Sequence, residues 1–413
     1  MTDSFTDYQR TLNHIIALSN AFSPSAPINS QDLFAGRIDQ VQKVISAVVQ
    51  RGQHVIMFGE RGVGKTSLTN VIFDILKGAG FQGMESGSIN CEPTMDFSSL
   101  WHKILRDMKV VIPAEQPMGF TPDQPLVITA LNAGLPASIT PDDVRHILKT
   151  APLRSVIVID ELDRLDKSSD VTALLADTIK TLSDHSVDTT LILVGVANTV
   201  DDLIAEHQSV ERALLQIQMP RMSQAEIFEI MDKCFSKTEV TIEPDAKEFI
   251  GKLSKGLPHY THLLGLHAGT AAVKAMRTVV TCQDVETAVA AALENCQGSV
   301  LSSYHKAISS PRPENLYPQV ILACALAQTD FLGYFSATDV KKPISMIMGK
   351  SCEIQMFGRH LNAFCSDERG NVLQRIGEPR SYRYRFANPL LQPFILLRGI
   401  EDGMITGDEI ETV

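Results

Sequence analysis

The chain has 413 residues, of which 44% are hydrophobic and 21% charged, a globular balance in a length that calls for two or three units with cores of their own. Its apolar runs are too short and too interrupted to cross a bilayer, and the net charge of -11 excludes a protein that coats nucleic acid over its whole surface while leaving room for a local basic face. The seven cysteines (Cys91, Cys234, Cys282, Cys296, Cys324, Cys352 and Cys365) are scattered and never spaced C-x-x-C, so neither a zinc nor a disulfide framework is expected.

The opening MTDSFTDYQR is acidic at once and lacks a basic head before an apolar body, which predicts a cytoplasmic protein without a secretory leader. A short helix and the proline- and serine-rich SPSAPINSQ make residues 1–31 an N-terminal helix and linker. From 32 to 222, short buried strands alternate with amphipathic helices, the pattern of an α/β domain with a parallel sheet. From Ser223 strands leave the pattern, and 223–298 reads as a small all-helical domain. After the break SSPRPENLYP, residues 299–400 form a third unit, and 401–413 an acidic tail.

Between the apolar run HVIMF and the helix-like LTNVIFDIL stands GERGVGKTS. The pattern is Gly59, four residues, then Gly64, Lys65 and Thr66, a loop that wraps phosphates between a strand and a helix. Backbone N–H groups along Gly59, Glu60, Arg61, Gly62, Val63, Gly64, Lys65, Thr66 and Ser67 would turn toward an anion. Lys65 supplies a point charge for the outer phosphates of ATP, and Thr66 offers its hydroxyl to Mg²⁺.

Hydrolysis needs a metal-holding acid and a base, and VIVIDELDRL provides both types. Four apolar strand formers bring Asp160 to a strand end, where it would serve the Mg²⁺ shell, and Glu161 follows where a general base would stand. Asp163 is a weaker candidate, since it can simply cap the next helix. The strand LILVGVAN ends in Asn198, which either orients the attacking water or is a turn residue.

These motifs together resemble the AAA+ ATPases, whose phosphate loop, acidic strand and polar sensor are matched by Gly59 to Thr66, Asp160 with Glu161, and Asn198. More narrowly the chain resembles the prokaryotic members of the origin-recognition and initiator clade, over about Asp32 to Gly399. The resemblance implies that LFAGR, with Phe34 and Arg37, packs near adenine. It also implies an arginine finger donated to a neighbouring subunit, for which Arg212 is the best match and Arg221 the second, so hydrolysis would require assembly of the protein with itself. Where the family commonly places a lid arginine, this chain has GLPHY. His259 occupies that slot, either contacting nucleotide or as an ordinary residue at a helix start, and a neutral imidazole does not replace a guanidinium.

In the third unit three amphipathic helices precede GNVLQRI, a turn and SYRYRFANP, the order of a winged helix. Tyr382, Tyr384 and Phe386 share one strand face, and Arg383 and Arg385 point outward on the other. Ten basic residues between Lys341 and Arg398 stand against Glu353, Asp367, Glu368 and Glu378. Duplex DNA is the expected partner, with Arg359, His360 and Asn362 on a groove-entering helix and Arg380, Arg383 and Arg385 on the wing. Winged helices also dock proteins. The alternative function is therefore an ATP-gated scaffold that controls an effector such as a nuclease, in a defence system or mobile element. The proline-rich stretch 109–141 either faces a pore or partner, or packs locally.

Overall fold

The structure, a computed structural model, describes residues 2–410 except 82–83, 114–125, 132–134, 151–153, 198–199, 201–202, 205–209, 296, 311–314, 331 and 379–380. Its internal contacts divide the chain into two units. One holds Arg37–Glu60 and Lys65–Met219, the other Met1–Gly36, Arg61–Gly64 and Pro220–Val413. The first helix, α1 (Thr2–Ala21), belongs to the second of these.

The sheet unit runs α2 (Ile38–Val49), β1 (His54–Gly59), α3 (Lys65–Gly78), β2 (Glu85–Asn90), α4 (Phe97–Asp107), β3 (Lys109–Pro113), β4 (Leu126–Ala130), α5 (Pro141–Thr150), β5 (Ser155–Asp160), α6 (Val171–Asp184), β6 (Thr189–Val196) and β7 (Leu214–Gln218). Five of the strands form one parallel sheet in the order β2-β5-β6-β1-β7. Helices cover both faces of such a sheet, which is why β1 and β5 are buried at every residue and read as continuous apolar runs. Register is exact through the centre, where Met57 of β1 lies opposite Val194 of β6 and Ile217 of β7. Helix α4 shows how one element finds its place. Asp96 and Ser99 close a capping box at its start, and Phe97, Leu100, Trp101, Ile104 and Leu105 fall on one buried face at helical spacing. The proline-rich stretch contributes the antiparallel pair β3 and β4, and the residues joining those strands lie outside the described ones.

The second unit continues from α1 with α7 (Gln224–Ser236), β8 (Thr241–Ile242), α8 (Pro244–Ser254), α9 (Pro258–Lys274), β9 (Val279–Val280), α10 (Cys282–Glu294) and α11 (Gly298–Ile308). It then runs α12 (Tyr317–Leu326), β10 (Phe335–Ser336), α13 (Ala337–Met348), α14 (Ile354–Phe364), β11 (Leu373–Ile376), β12 (Arg383–Phe386) and α15 (Leu391–Glu401). The expectation that strands vanish after Ser223 is corrected by β8 and β9, a parallel pair of two residues each, too short to show any period in sequence. Helix α1 packs closely on α9. A Cβ at Gly269 would stand 2.7 Å from Leu18, and the ring of Phe22 lies against Gly265.

From α12 to β12 the order helix, strand, helix, helix, strand, strand, with the sheet order β10-β12-β11, is a winged helix. Tyr384 and Phe386 are buried as their alternation predicts. The α/β sheet, helical lid and winged helix read from the sequence are thus present.

Candidate nucleotide site

The loop from Gly59 to Thr66 joins β1 to α3. At Gly59 the Met219 carbonyl oxygen occupies the place a Cβ would need, so only glycine permits β1 to pass there. Gly64, at φ 95°, turns the chain into α3 in a conformation that other residues resist. Lys65 is buried, and its Nζ donates to the carbonyls of Gly59 at 2.9 Å and Glu60 at 2.7 Å.

β5 delivers the acidic pair to this loop. The Thr66 hydroxyl donates to Asp160 Oδ2 at 2.8 Å, and the Glu161 N–H donates to Asp160 Oδ1 at 2.7 Å. Burial pushes the Asp160 carboxyl above its ordinary value, opposed by those two hydrogen bonds and by the Lys65 charge, with Glu161 adding to the rise. Glu161 itself sits at φ 56° and ψ 37°, a left-handed conformation uncommon outside glycine. It begins a one-turn 3-10 helix, Leu162–Arg164, and its carboxylate accepts from Arg164 at 2.6 Å. Behind the pair, burial raises the Cys91 thiol to about 12, with the Asp160 charge contributing, so that it stays protonated.

Two features of this turn were not read from sequence. Asp163 does not cap a helix; its Oδ1 accepts the Val196 N–H at 2.7 Å, at the end of β6. Arg164 pairs with Glu161, a contact that the i,i+3 spacing of opposite charges could have suggested. Asn198 lies outside the described residues.

Arg212 is exposed on the short turn Glu211–Ala213 before β7 and pairs with Asp184 at the end of α6. Arg221 is buried, and its guanidinium donates to Gln392 of α15 at 2.5 Å. That burial is incompatible with a finger reaching another subunit, and removes Arg221 as the second candidate.

The lid candidate His259 and the adenine-segment candidate Phe34 fall in the other unit. Phe34 is buried, its carbonyl accepts from Lys233 at 2.6 Å, and the Gly36 N–H donates to Glu229 at 3.0 Å, so this segment is fastened to α7. Arg37 belongs to the sheet unit, fully buried at φ 62°. His259 Nδ1–H donates to the Pro24 carbonyl at 2.8 Å, and burial lowers the imidazole's pKa despite that bond.

On the winged helix, Arg359 and Asn362 lie on the exposed face of α14, and Asn362 accepts from Arg375 at 2.9 Å. His360 is a correction. It is buried, edge-on to Tyr317 with ring centroids 4.9 Å apart, and faces the core. The wing arginines are engaged within the module. Arg383 is exposed but pairs with Asp330 at 2.7 Å, and half-buried Arg385 donates to Gln374 and lies over the Tyr334 ring. Arg380 lies outside the described residues.

Among the described residues no helix is long and apolar enough to cross a membrane, and no cluster of three or more His, Cys, Asp or Glu forms a metal site.

Residues 49–204 match the AAA domain family. No curated protein matches the chain. The ORC2 protein of Aeropyrum pernix, solved as ADPNP–ADP complexes, is 13% identical with a TM-score of 0.51, over 93% of this chain and 97% of that one. A Walker-type ATPase of Pyrococcus abyssi is 13% identical with a TM-score of 0.50, over 90% and 98%. Cdc6p from Pyrobaculum aerophilum is 14% identical with a TM-score of 0.49, over 94% and 99%. At these identities the likeness is one of fold. The chain carries an AAA+ ATPase domain, of the class that binds and hydrolyses ATP. The resemblance to origin-recognition and initiator-like AAA+ proteins is borne out at the level of fold.

Proposed function

We propose that the protein is an ATP-dependent, self-assembling molecular switch that engages duplex DNA through its winged helix. The observation that carries this reading is the cluster of Lys65, Thr66, Asp160 and Glu161 at the carboxyl ends of β1 and β5, where open α/β sheets bind their ligands. A buried carboxylate beside a threonine hydroxyl is an all-oxygen donor set suited to a hard cation. Thr66 and Asp160 would hold Mg²⁺, which offsets phosphate charge when bound. Lys65 would exchange its two carbonyl partners for the outer phosphates, and Glu161 would take the proton of the attacking water. Asn198 would orient that water, and Arg212 of a neighbouring subunit would stabilise charge on the transferring phosphoryl group. Slow turnover suits a switch, whose ATP state must persist.

DNA contact is best supported at α14, where Gln355, Arg359 and Asn362 are exposed along one helical face. On the wing, Arg383 would first have to leave Asp330. A second reading, in which the module docks an effector protein, is favoured by the exposed apolar side chains Met346, Ile354, Met356 and Ile376.

The test is ATP turnover per subunit across protein concentration, with and without duplex DNA, together with DNA affinity at two salt concentrations. Turnover should climb with concentration and rise again with DNA. Affinity should fall steeply with salt, with Arg359→Ala reducing the log–log slope by about 1 and Arg383→Ala by less. Flat turnover that ignores DNA would sink the switch, and salt-insensitive binding would favour protein docking.

A further inference from the structure

The acidic turn is fastened at a point that the roles given to Asp160 and Glu161 leave unexplained. Strands β5 and β6 pair in register as far as Ile159 opposite Leu193, and there their ladder ends. Beyond it a side chain takes over, as Asp163 Oδ1 accepts the Val196 N–H at 2.7 Å. The surroundings hold that carboxylate in place. Position 195 is glycine because a Cβ there would stand 2.5 Å from Leu203 and 3.2 Å from Asp163 Oδ1. A bond from a backbone N–H to an ionised carboxylate is among the stronger kinds.

We propose that Asp163 is a positioning residue for ATP hydrolysis. Its carboxylate ties the turn carrying Glu161 to the end of β6 at Val196, and so fixes the base against the sheet edge that the β5–β6 ladder no longer holds. This rests on the role proposed above for Glu161. The oxygen that faces Val196 acts as an acceptor, so a neutral carbonyl at the same place performs the task. Geometry of this kind is costly to lose, since a displacement of about 1 Å can lower a rate by roughly a hundredfold.

The experiment compares wild type, Asp163→Ala and Asp163→Asn in full ATP saturation curves, with binding of a fluorescent ATP analogue and thermal midpoints measured alongside. Asp163→Ala should lose about tenfold in kcat with KM and analogue affinity within about twofold, and Asp163→Asn should stay within about threefold of wild type. If the alanine variant proves unstable, Asp163→Leu against Asp163→Asn makes the same comparison at similar volume. Wild-type kcat in the variant without an acceptor overturns the proposal. So does an asparagine variant as impaired as alanine, which would show the charge itself acting on metal or water. A wild type without ATP turnover at any concentration refutes the proposed function, and this inference with it.

Discussion

The Thr66 hydroxyl donates to the Asp160 carboxylate across 2.8 Å, joining residues 94 apart in sequence. One belongs to the start of α3 and the other to the end of β5, and the parallel sheet brings them together because β6 alone separates β1 from β5. The bond places a hydroxyl and a buried carboxylate on a single spot, and the expected behaviour of variants follows from that arrangement.

Lys65→Ala should abolish nucleotide binding, because the variant loses the buried side-chain cation that the loop holds against the Gly59 and Glu60 carbonyls. Glu161→Gln should bind ATP like wild type and lose at least about a hundredfold in turnover, since the amide cannot accept a proton. Turnover unchanged in Glu161→Gln, measured by phosphate release, would remove it as the base.

Asp160→Asn should separate function from stability. Burial raises the pKa of this carboxyl, so the native state holds the proton more tightly than the unfolded chain. The group therefore costs stability above the carboxylate range and not below it. At pH 7.5 the variant's thermal midpoint should equal or exceed that of wild type by ~1–3 °C, with the gap closing in acid, while Mg²⁺-dependent hydrolysis is lost. A lower midpoint at neutral pH would contradict this account.

Acid should destabilise the sheet unit through His54. This side chain is fully buried, its Nδ1 accepts the Leu191 N–H at 3.0 Å, and burial lowers its pKa to about 3. A depressed histidine leaves stability intact above its unfolded value of 6.5 and removes it as pH falls from there toward 3, by roughly 3 kcal/mol at pH 4. His262, lowered to about 4 by burial, acts with the same sign in the other unit. Denaturant melts from pH 7 to 4 should show the slope, and His54→Gln should flatten it. An unchanged slope would place the acid sensitivity elsewhere.

Arg212 is exposed and paired with Asp184, an ion pair of the surface type that contributes little to folding. Arg212→Ala should therefore fold and bind ATP normally yet lose turnover. Mixed with Lys65→Ala, it should recover part of the activity, because sites that pair an intact phosphate loop with an intact finger re-form. No recovery at any mixing ratio counts against a finger supplied in trans.

Much of the fold was legible in sequence because its signals are local. The buried runs of β1 and β5, the glycine spacing of the phosphate loop and the alternation of Tyr384 and Phe386 each depend on neighbours within a few residues. The same is true of Asp160 and Glu161, which stand where a strand visibly ends.

Which partner a side chain takes was not legible. Arginine patterns alike in sequence diverge in the structure, with Arg212 exposed, Arg221 buried against Gln392, and Arg383 paired with Asp330. His360 turns to the core although its neighbour Arg359 faces solvent, and Asp163 caps a strand 33 residues away rather than the helix beside it. Sequence by itself determined the buried central strands, the longer helices, the phosphate loop and the acidic strand end, because backbone period and loop chemistry are short-range, while the two-residue strands β8 and β9 carry no period to read. Only the tertiary structure decided which polar groups meet, because a hydrogen bond or ion pair requires two atoms to lie about 3 Å apart, and for distant residues that distance is set by the packing of whole elements.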